Sequence, residues 1–313
     1  MSERLSFDGR VALVTGAGRG MGRAHAMLFA ARGAKVVVNN RSAAAAQATV
    51  DDIVRAGGTA VASVADVKDP AQAKACVDSA LNAFGRIDIV VNNAGIAKFT
   101  PFDQISDAEF HDMLGTHFGG AWHVSQAAWP HMVAQGYGKI AMIASAGGIY
   151  GLAQNAHYCA AKGALFGLAQ GLAREGAAHG ICVNTVSTGG YTEMIEAAIH
   201  DKQQLEYMEN HLPAWAAAPP VVWLCHEQCS ATGEYYSAAG RRMSQFFQGE
   251  TRGYVSENYT VEALRDNFDE VRRVEGFEIH ADQAAALRWM SGLLGNREGA
   301  EFEFNQMAST AKA

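Results

Sequence analysis

Short aliphatic runs recur along the chain up to about residue 187, each the length of a buried strand. They are VALVT (11–15), KVVVN (35–39), AVASV (60–64), IDIVV (87–91), KIAMIA (139–144) and ICVNTV (181–186). The runs are apolar throughout instead of alternating with polar positions, as expected of parallel strands covered by helices on both faces. Alanine-rich stretches of helical length lie between them, among them the run 43–48, which reads as ordinary helix. The stretch 21–32 stops at Gly33 and 42–56 stops at Gly57 and Gly58, where glycine suits the left-handed residue that closes a helix. Ser106 with Glu109 reads as a capping box opening a helix toward His131. The alternation predicts an α/β fold, a doubly wound parallel sheet (Rossmann fold) within residues 1–240, with a helical C-terminal extension.

After Ser187 the pattern changes. Residues 188–220 show no clear strand, carry Pro213, Pro219 and Pro220, and read as a segment covering a substrate. Residues 241–313 are more polar, with helices expected over 261–274 and 281–294, and read as an extension packed on the core or on a partner subunit.

Composition narrows the field. A chain of 313 residues, 49% hydrophobic, can bury one large core plus an appendage. Its net charge of −7 offers no basic field to a phosphate polymer, so nucleic acid is excluded as an expected partner. Five scattered cysteines (Cys76, Cys159, Cys182, Cys225, Cys229) are not a secreted disulfide scaffold and point to a reducing cytoplasm. The polar start MSERLSFDGR and the lack of any stretch near the roughly 18 apolar residues that span a bilayer predict a soluble protein with no membrane partner. The run Cys225-His226-Glu227-Gln228-Cys229 has ligand-like residues but no matching second pair, and no metal is expected.

The first run leads directly into Gly16-Ala17-Gly18-Arg19-Gly20-Met21-Gly22 and then a helix, so that backbone amides at the helix start can face a pyrophosphate. Glycine permits the tight turn and the close approach of backbone to phosphate. Alone, this is equally a plain strand-to-helix turn. Its context is the pattern TGxxxGxG (Thr15, Gly16, Gly20, Gly22), Asp66-Val67 after the third run and Asn92-Asn93-Ala94-Gly95 after the fourth, all at carboxyl ends of strands, where such sheets bind ligands. The second run ends in Asn39, Asn40 and Arg41, with no carboxylate. Asn40 can bond an adenosine ribose, and Arg41 and Arg19 can hold a 2′-phosphate, so local chemistry leaves NAD and NADP open.

Ser145, Tyr158 and Lys162 stand 13 and then 4 residues apart, with Tyr158 and Lys162 on one face of the helix after the fifth run. An adjacent ammonium and a cationic nicotinamide ring would stabilise a phenolate and lower its ordinary pKa of about 10. Tyr158 then exchanges a proton with an alcohol while hydride moves to the nicotinamide. Individually these are a surface tyrosine, a solvated lysine and a turn serine; at this spacing, beside the glycine turn, they read as one catalytic set.

Together these motifs resemble the short-chain dehydrogenase/reductase family over about residues 5–240. The resemblance implies that Asp66 and Val67 hold the adenine, and that Asn92 to Gly95 line the cofactor cleft, with Asn93, Ala94 and Gly95 among its cofactor-binding residues. Ser145 would meet the substrate oxygen and Lys162 the nicotinamide ribose, with Gly189 among the cofactor-binding residues and Thr192 near the nicotinamide carboxamide. Two departures stand out. Thr188-Gly189 replaces the family's Pro-Gly, and His117 replaces the usual Asn of the fourth helix. His117 can serve in a proton relay to Lys162, since imidazole donates and accepts; the alternative is a buried histidine satisfied by backbone. His111, His123 and His131 read as surface or packing residues.

The stretches AAWPHM (127–132), GIYG (148–151), WLCHE (223–227) and VEALRDNFDEV (261–271) further resemble the dehydrogenase units of type 2 peroxisomal multifunctional enzymes. That likeness implies oxidation of (3R)-hydroxyacyl-CoA thioesters in β-oxidation, with NAD(H) favoured over NADP(H) and steroid or steroid side-chain acyl-CoA substrates as a variant. Ile149, Tyr150, Leu152 and Trp215 are candidates for an apolar site wall or for core packing, and Arg241 and Arg242 for CoA phosphates. Asn40 and Arg41 keep open an NADPH-dependent ketone or ketoacyl reductase or a 17β-hydroxysteroid dehydrogenase. A catalytically silent cofactor-binding scaffold is opposed by the intact Ser145, Tyr158 and Lys162. Family habit implies a homodimer or homotetramer.

Overall fold

The computed structural model describes residues 4–193, 196, 201–257 and 259–294. The six aliphatic runs form β1 (Val11–Val14), β2 (Lys35–Asn40), β3 (Thr59–Val64), β4 (Ile89–Asn92), β5 (Gly138–Ala144) and β6 (Ile181–Gly189). Two further strands, β7 (Tyr235–Ala239) and β8 (Arg242–Phe246), complete a sheet ordered β3-β2-β1-β4-β5-β6-β7-β8. Every pairing is parallel except β7 with β8. The order reverses between β1 and β4, which places a ligand crevice at the carboxyl ends of those two strands.

Successive strand residues feed opposite faces, which is why the runs lack alternation. Val14, Val36, Val38 and Val91 pack with Phe29 on one side; Leu13, Val37, Val90 and Met142 pack with Met132 and Leu165 on the other. Strands β7 and β8 are only partly covered and carry tyrosine, serine, glutamine and arginine instead of an aliphatic run. A tight turn joins them through Gly240 and Arg241, both at positive φ (58° and 64°), the backbone twist that two-residue hairpins favour. The sheet therefore extends past residue 240, and the first compact unit ends at Phe246.

The first helices are α1 (Gly20–Ala31), α2 (Ala43–Arg55) and α3 (Pro70–Phe84), of which Ser42 and Asp69 cap the last two. The helix expected from Ser106 is α4 (Asp107–Leu114), which runs through a wider, π-type turn at Gly115–Gly119 into α5 (Gly120–Gln135). Ser106 accepts from Glu109 N as a cap should, but the Glu109 carboxylate turns to Lys98, Thr100 and His157, so only half of the capping box forms. The long α6 (Ala156–Gly176) carries Tyr158 and Lys162.

Residues 188–220 begin as the end of β6 and continue through α7 (Lys202–His211) to α8 (Ala218–Leu224). Pro219 and Pro220 sit in the first turn of α8, where a missing N–H leaves nothing unsatisfied. The second compact unit begins at Phe247. Within it the helix expected over 261–274 is broken at Asn267 into α9 (Val261–Asp266) and α10 (Phe268–Val271), and α11 (Gln283–Leu293) follows. Phe247 stacks on Phe277 at 6.1 Å. The extension beyond residue 294 lies outside the described residues.

Candidate active site

The glycine turn is held from three strands. Asn93 Nδ2 donates to Thr15 O (2.9 Å), while Thr15 Oγ1 accepts from the amides of Asn93 and Ala94, each at 2.9 Å. Gly16 has φ 63°, and a Cβ there would lie 2.8 Å from Ala94 Cα; one on Gly22 would lie 2.4 Å from Gly16 O. These glycines are thus required by backbone packing at the end of β1. Helix α1 starts without a side-chain cap and with no acidic residue in its first turn, leaving its amide end available to an anion. A cleft of about 630 Å³ opens over this turn, so the residues present fit a nicotinamide dinucleotide.

Gly16, Arg19, Gly20, Met21 and Gly22 form one wall of the cleft, with Asn40, Arg41, Asp66 and Val67 at its outer end. Asn93, Ala94, Gly95, His117, Tyr158, Lys162 and Thr192 bound its inner end. Gly189 does not line it; it spaces β6 against Ala239 of β7, and Thr188 takes the place in the wall. Arg41 lies 3.7 Å from Asp66 and Arg19 lies 3.1 Å from Glu193, both pairs at the surface. Asn40 Oδ1 accepts from Ser42 N at 2.9 Å. Sequence reasoning missed the buried Asn39, whose amide donates to Ser63 O and Ala65 O (3.1 Å each) and whose Oδ1 meets Gly16 N at 3.4 Å, pinning the turn to β3.

At the inner end Lys162 is 5% exposed and its Nζ donates to Ile143 O at 2.6 Å. Burial pulls its pKa down to about 7. Tyr158 lies beside it, with Nζ 5.8 Å from the ring centre, and Ser145 is within hydrogen-bonding reach of its hydroxyl. Burial outweighs the Ser145 hydrogen bond and pushes the Tyr158 phenol up. Ser145 does not line this cleft, and its Oγ accepts from Gly147 N at 3.2 Å and its carbonyl from Tyr235 at 3.1 Å.

The π-type turn sets His117 edge-on to Tyr158, the ring centres 5.2 Å apart. His117 Nε2 lies 2.8 Å from Ile96 O, while its buried Nδ1 has no protein partner. The backbone-satisfied reading is therefore half right. Burial first, and then the Lys162 charge, hold His117 well below the usual histidine range. A Cβ on Gly95 would lie 2.4 Å from the His117 ring, so that glycine makes room for the imidazole.

Other candidates separate from the site. His111 and His123 bond backbone carbonyls of Asp107 and Val67. His226 bonds Ser6 O at 3.1 Å, and among the described residues no group of three or more His, Cys, Asp or Glu is arranged to hold a metal. Ile149 (44%), Tyr150 (74%), Leu152 (47%) and Trp215 (54%) are exposed, which removes the core-packing reading, and Arg241 sits 5.3 Å over the Trp215 ring. No described helix is long and apolar enough to cross a membrane.

Residues 10–204 match the short chain dehydrogenase family. The chain is 39% identical over 284 residues to peroxisomal multifunctional enzyme type 2 of Mus musculus, covering 87% of this chain and 38% of that one. The structure of full-length peroxisomal multifunctional enzyme type 2 from Drosophila melanogaster superposes with a TM-score of 0.79 at 34% identity, over 93% of this chain and 50% of that one. A 7α-hydroxysteroid dehydrogenase complexed with NADH and 7-oxo glycochenodeoxycholic acid superposes with a TM-score of 0.72 at 30% identity, over 77% of this chain and 97% of that one. The chain thus spans at most half the length of these two multifunctional enzymes.

Proposed function

The chain belongs to the short chain dehydrogenase family, an oxidoreductase acting on hydroxyl groups with a nicotinamide cofactor, and from that premise we propose that it oxidises (3R)-hydroxyacyl-CoA thioesters. Steroid side-chain acyl-CoA substrates fall within the same proposal. The observation that carries it is the meeting of Tyr158, buried Lys162 and His117 at the inner end of a cleft that starts at the glycine turn. A bound oxidised dinucleotide supplies the hydride acceptor and a positive charge that favours phenolate. Tyr158 takes the alcohol proton, Ser145 meets the substrate oxygen, and Lys162, which is half neutral near pH 7, receives the proton in turn. His117, with an open Nδ1 beside Tyr158, continues the relay.

Purified protein supplied with a (3R)-hydroxyacyl-CoA and either dinucleotide is expected to form the reduced cofactor. Turnover of free steroid alcohols with failure of every acyl-CoA would overturn the thioester assignment. Dinucleotide binding without turnover of any alcohol would leave the silent scaffold.

Likeness to the multifunctional enzymes supports NAD(H) as the favoured cofactor. The second reading, an NADPH-dependent reductase, is favoured by Asn40 and Arg41 at the ribose end. Asn40→Asp places a carboxylate where a 2′-phosphate would sit and is expected to lower kcat/KM for NADPH by about tenfold or more while sparing NADH. Equal losses with both cofactors would show that Asn40 does not face the ribose. A homodimer or homotetramer and a reducing compartment such as the cytoplasm belong to this proposal; all five cysteines are free.

A further inference from the structure

One carboxylate outside the reaction scheme holds two walls of the site together. The side chain of Glu109, on α4, is 8% exposed, and donors from two other parts of the chain converge on it. Thr100 Oγ1 donates to its Oε1, His157 Nε2 lies 3.1 Å from the same oxygen, and Lys98 Nζ is paired with Oε2. A carboxylate oxygen has two lone pairs, so Oε1 can serve Thr100 and His157 together. The side chain of His157, the residue before Tyr158, is 1% exposed, whereas that of Lys98 is 61% exposed. The His157 contact is therefore removed from water, and the Lys98 pair is a surface ion pair of small worth.

Both partners on Oε1 lead directly to the cleft. Thr100 stands four residues beyond Ile96, the last of the cleft-lining residues 93–96, and its backbone N also donates to Gln154 O at 2.8 Å. Gln154, at φ 58°, holds a left-handed conformation that residues other than glycine seldom adopt. Asn155 follows and starts α6 without a side-chain cap, although it is only 2% exposed. The helix start that carries Tyr158 is thus tied to the 93–100 segment through Thr100 and Glu109, where its own cap is missing.

We propose that Glu109 is a positioning residue for hydride transfer: by joining Thr100 to His157 it sets the separation between the 93–96 wall and Tyr158. The inference rests on the dehydrogenase reading and not on the thioester. In that reading the dinucleotide lies along the 93–96 wall and the alcohol oxygen is held at Tyr158. The distance from the carbinol carbon to the nicotinamide ring then follows from the separation of the two. The C–H bond breaks with its electron pair passing to the ring as hydride, the O–H proton goes to Tyr158, and Glu109 touches neither. Such a transfer is steep in distance, and a misplacement of about 1 Å costs up to about 10²-fold in rate.

The test is single-turnover stopped flow on the full chain with NAD and (3R)-hydroxydecanoyl-CoA carrying hydrogen or deuterium at C3, over a range of temperatures. Should wild type refuse the thioester, the same measurement uses whichever secondary alcohol it oxidises. Glu109→Leu is expected to slow NADH formation by about 10- to 100-fold and to leave NAD affinity within about twofold of wild type. Its isotope effect should vary more steeply with temperature than that of wild type, because the transfer distance is no longer held. Glu109→Gln keeps an oxygen for Thr100 and His157 and should bring the rate back to within about threefold of wild type. A tie that only stabilised the fold would lower the melting temperature and leave rate and isotope effect where they were. If Glu109→Leu does not fold, the double variant Glu109→Leu with His157→Leu replaces both buried partners by apolar groups and decides in its place. A folded variant with wild-type rate and isotope effect overturns the inference, as does Glu109→Gln losing as much as Glu109→Leu. Wild type that forms NADH from no alcohol overturns the dehydrogenase reading and the inference with it, before any variant is compared.

Discussion

Tyr158→Phe is expected to lower kcat/KM by about 10³- to 10⁴-fold while leaving dinucleotide affinity and melting temperature close to wild type. The ring stays, and with it the edge-on contact to His117 at 5.2 Å. What disappears is the hydroxyl that exchanges a proton with the alcohol. Tyr235 is the nearest rescuer by chemistry, but burial pushes it up to about 12 and its hydroxyl is held by the Ser145 carbonyl at 3.1 Å. The loss should therefore fall on kcat, with KM for cofactor moving less than about twofold, because an interaction of the reaction step has been removed and a binding interaction has not. Steady-state kinetics with a (3R)-hydroxyacyl-CoA beside dinucleotide titration provides the check. Residual activity above a tenth of wild type would move the proton exchange to another group.

The parts of this site that were legible in the sequence are those fixed by the chain's local direction. A glycine turn after a buried strand, and a tyrosine and lysine four apart on the next long helix, fall at the same edge of a parallel sheet whatever the details. Packing decided the rest. Strands β7 and β8 carry tyrosines and an arginine because one side is open, so they leave no aliphatic run to read. The π-type turn is invisible in a stretch that reads as continuous helix, yet it aims His117 at Tyr158. Glu109 was assigned to its own helix start by a local rule, and the long-range pull of Lys98, Thr100 and His157 won. The shift of Tyr158 shows the same limit: the desolvation that pushes its phenol up is set by packing that the sequence does not display.

Lys162→Met is expected to remove turnover by at least about 10²-fold and, below neutral pH, to leave the fold as stable as wild type or more so. The side chain is 5% exposed, with Ile143 O as its recorded hydrogen-bond partner. Burial takes its pKa from 10.5 to about 7 in the folded chain. Below about 7 both folded and unfolded chains carry the proton, and the fold bears the full penalty of burying an ammonium. Between about 7 and 10.5 the unfolded chain binds a proton that the folded chain does not, so stability rises with pH, by up to about 1.4 kcal/mol for each pH step of one. Methionine fills a similar volume without charge, but it leaves the Ile143 carbonyl without its donor, at a cost of about 1–3 kcal/mol. Near pH 6 the relief of the buried charge should match or exceed that loss; near pH 9 the relief has faded and wild type should be the more stable chain. Urea denaturation of both proteins at about these two pH values reads the crossing directly. A wild-type advantage that is equal at both would mean that Lys162 is solvated in the folded protein, and the proton acceptor proposed for the cleft would have to be sought elsewhere.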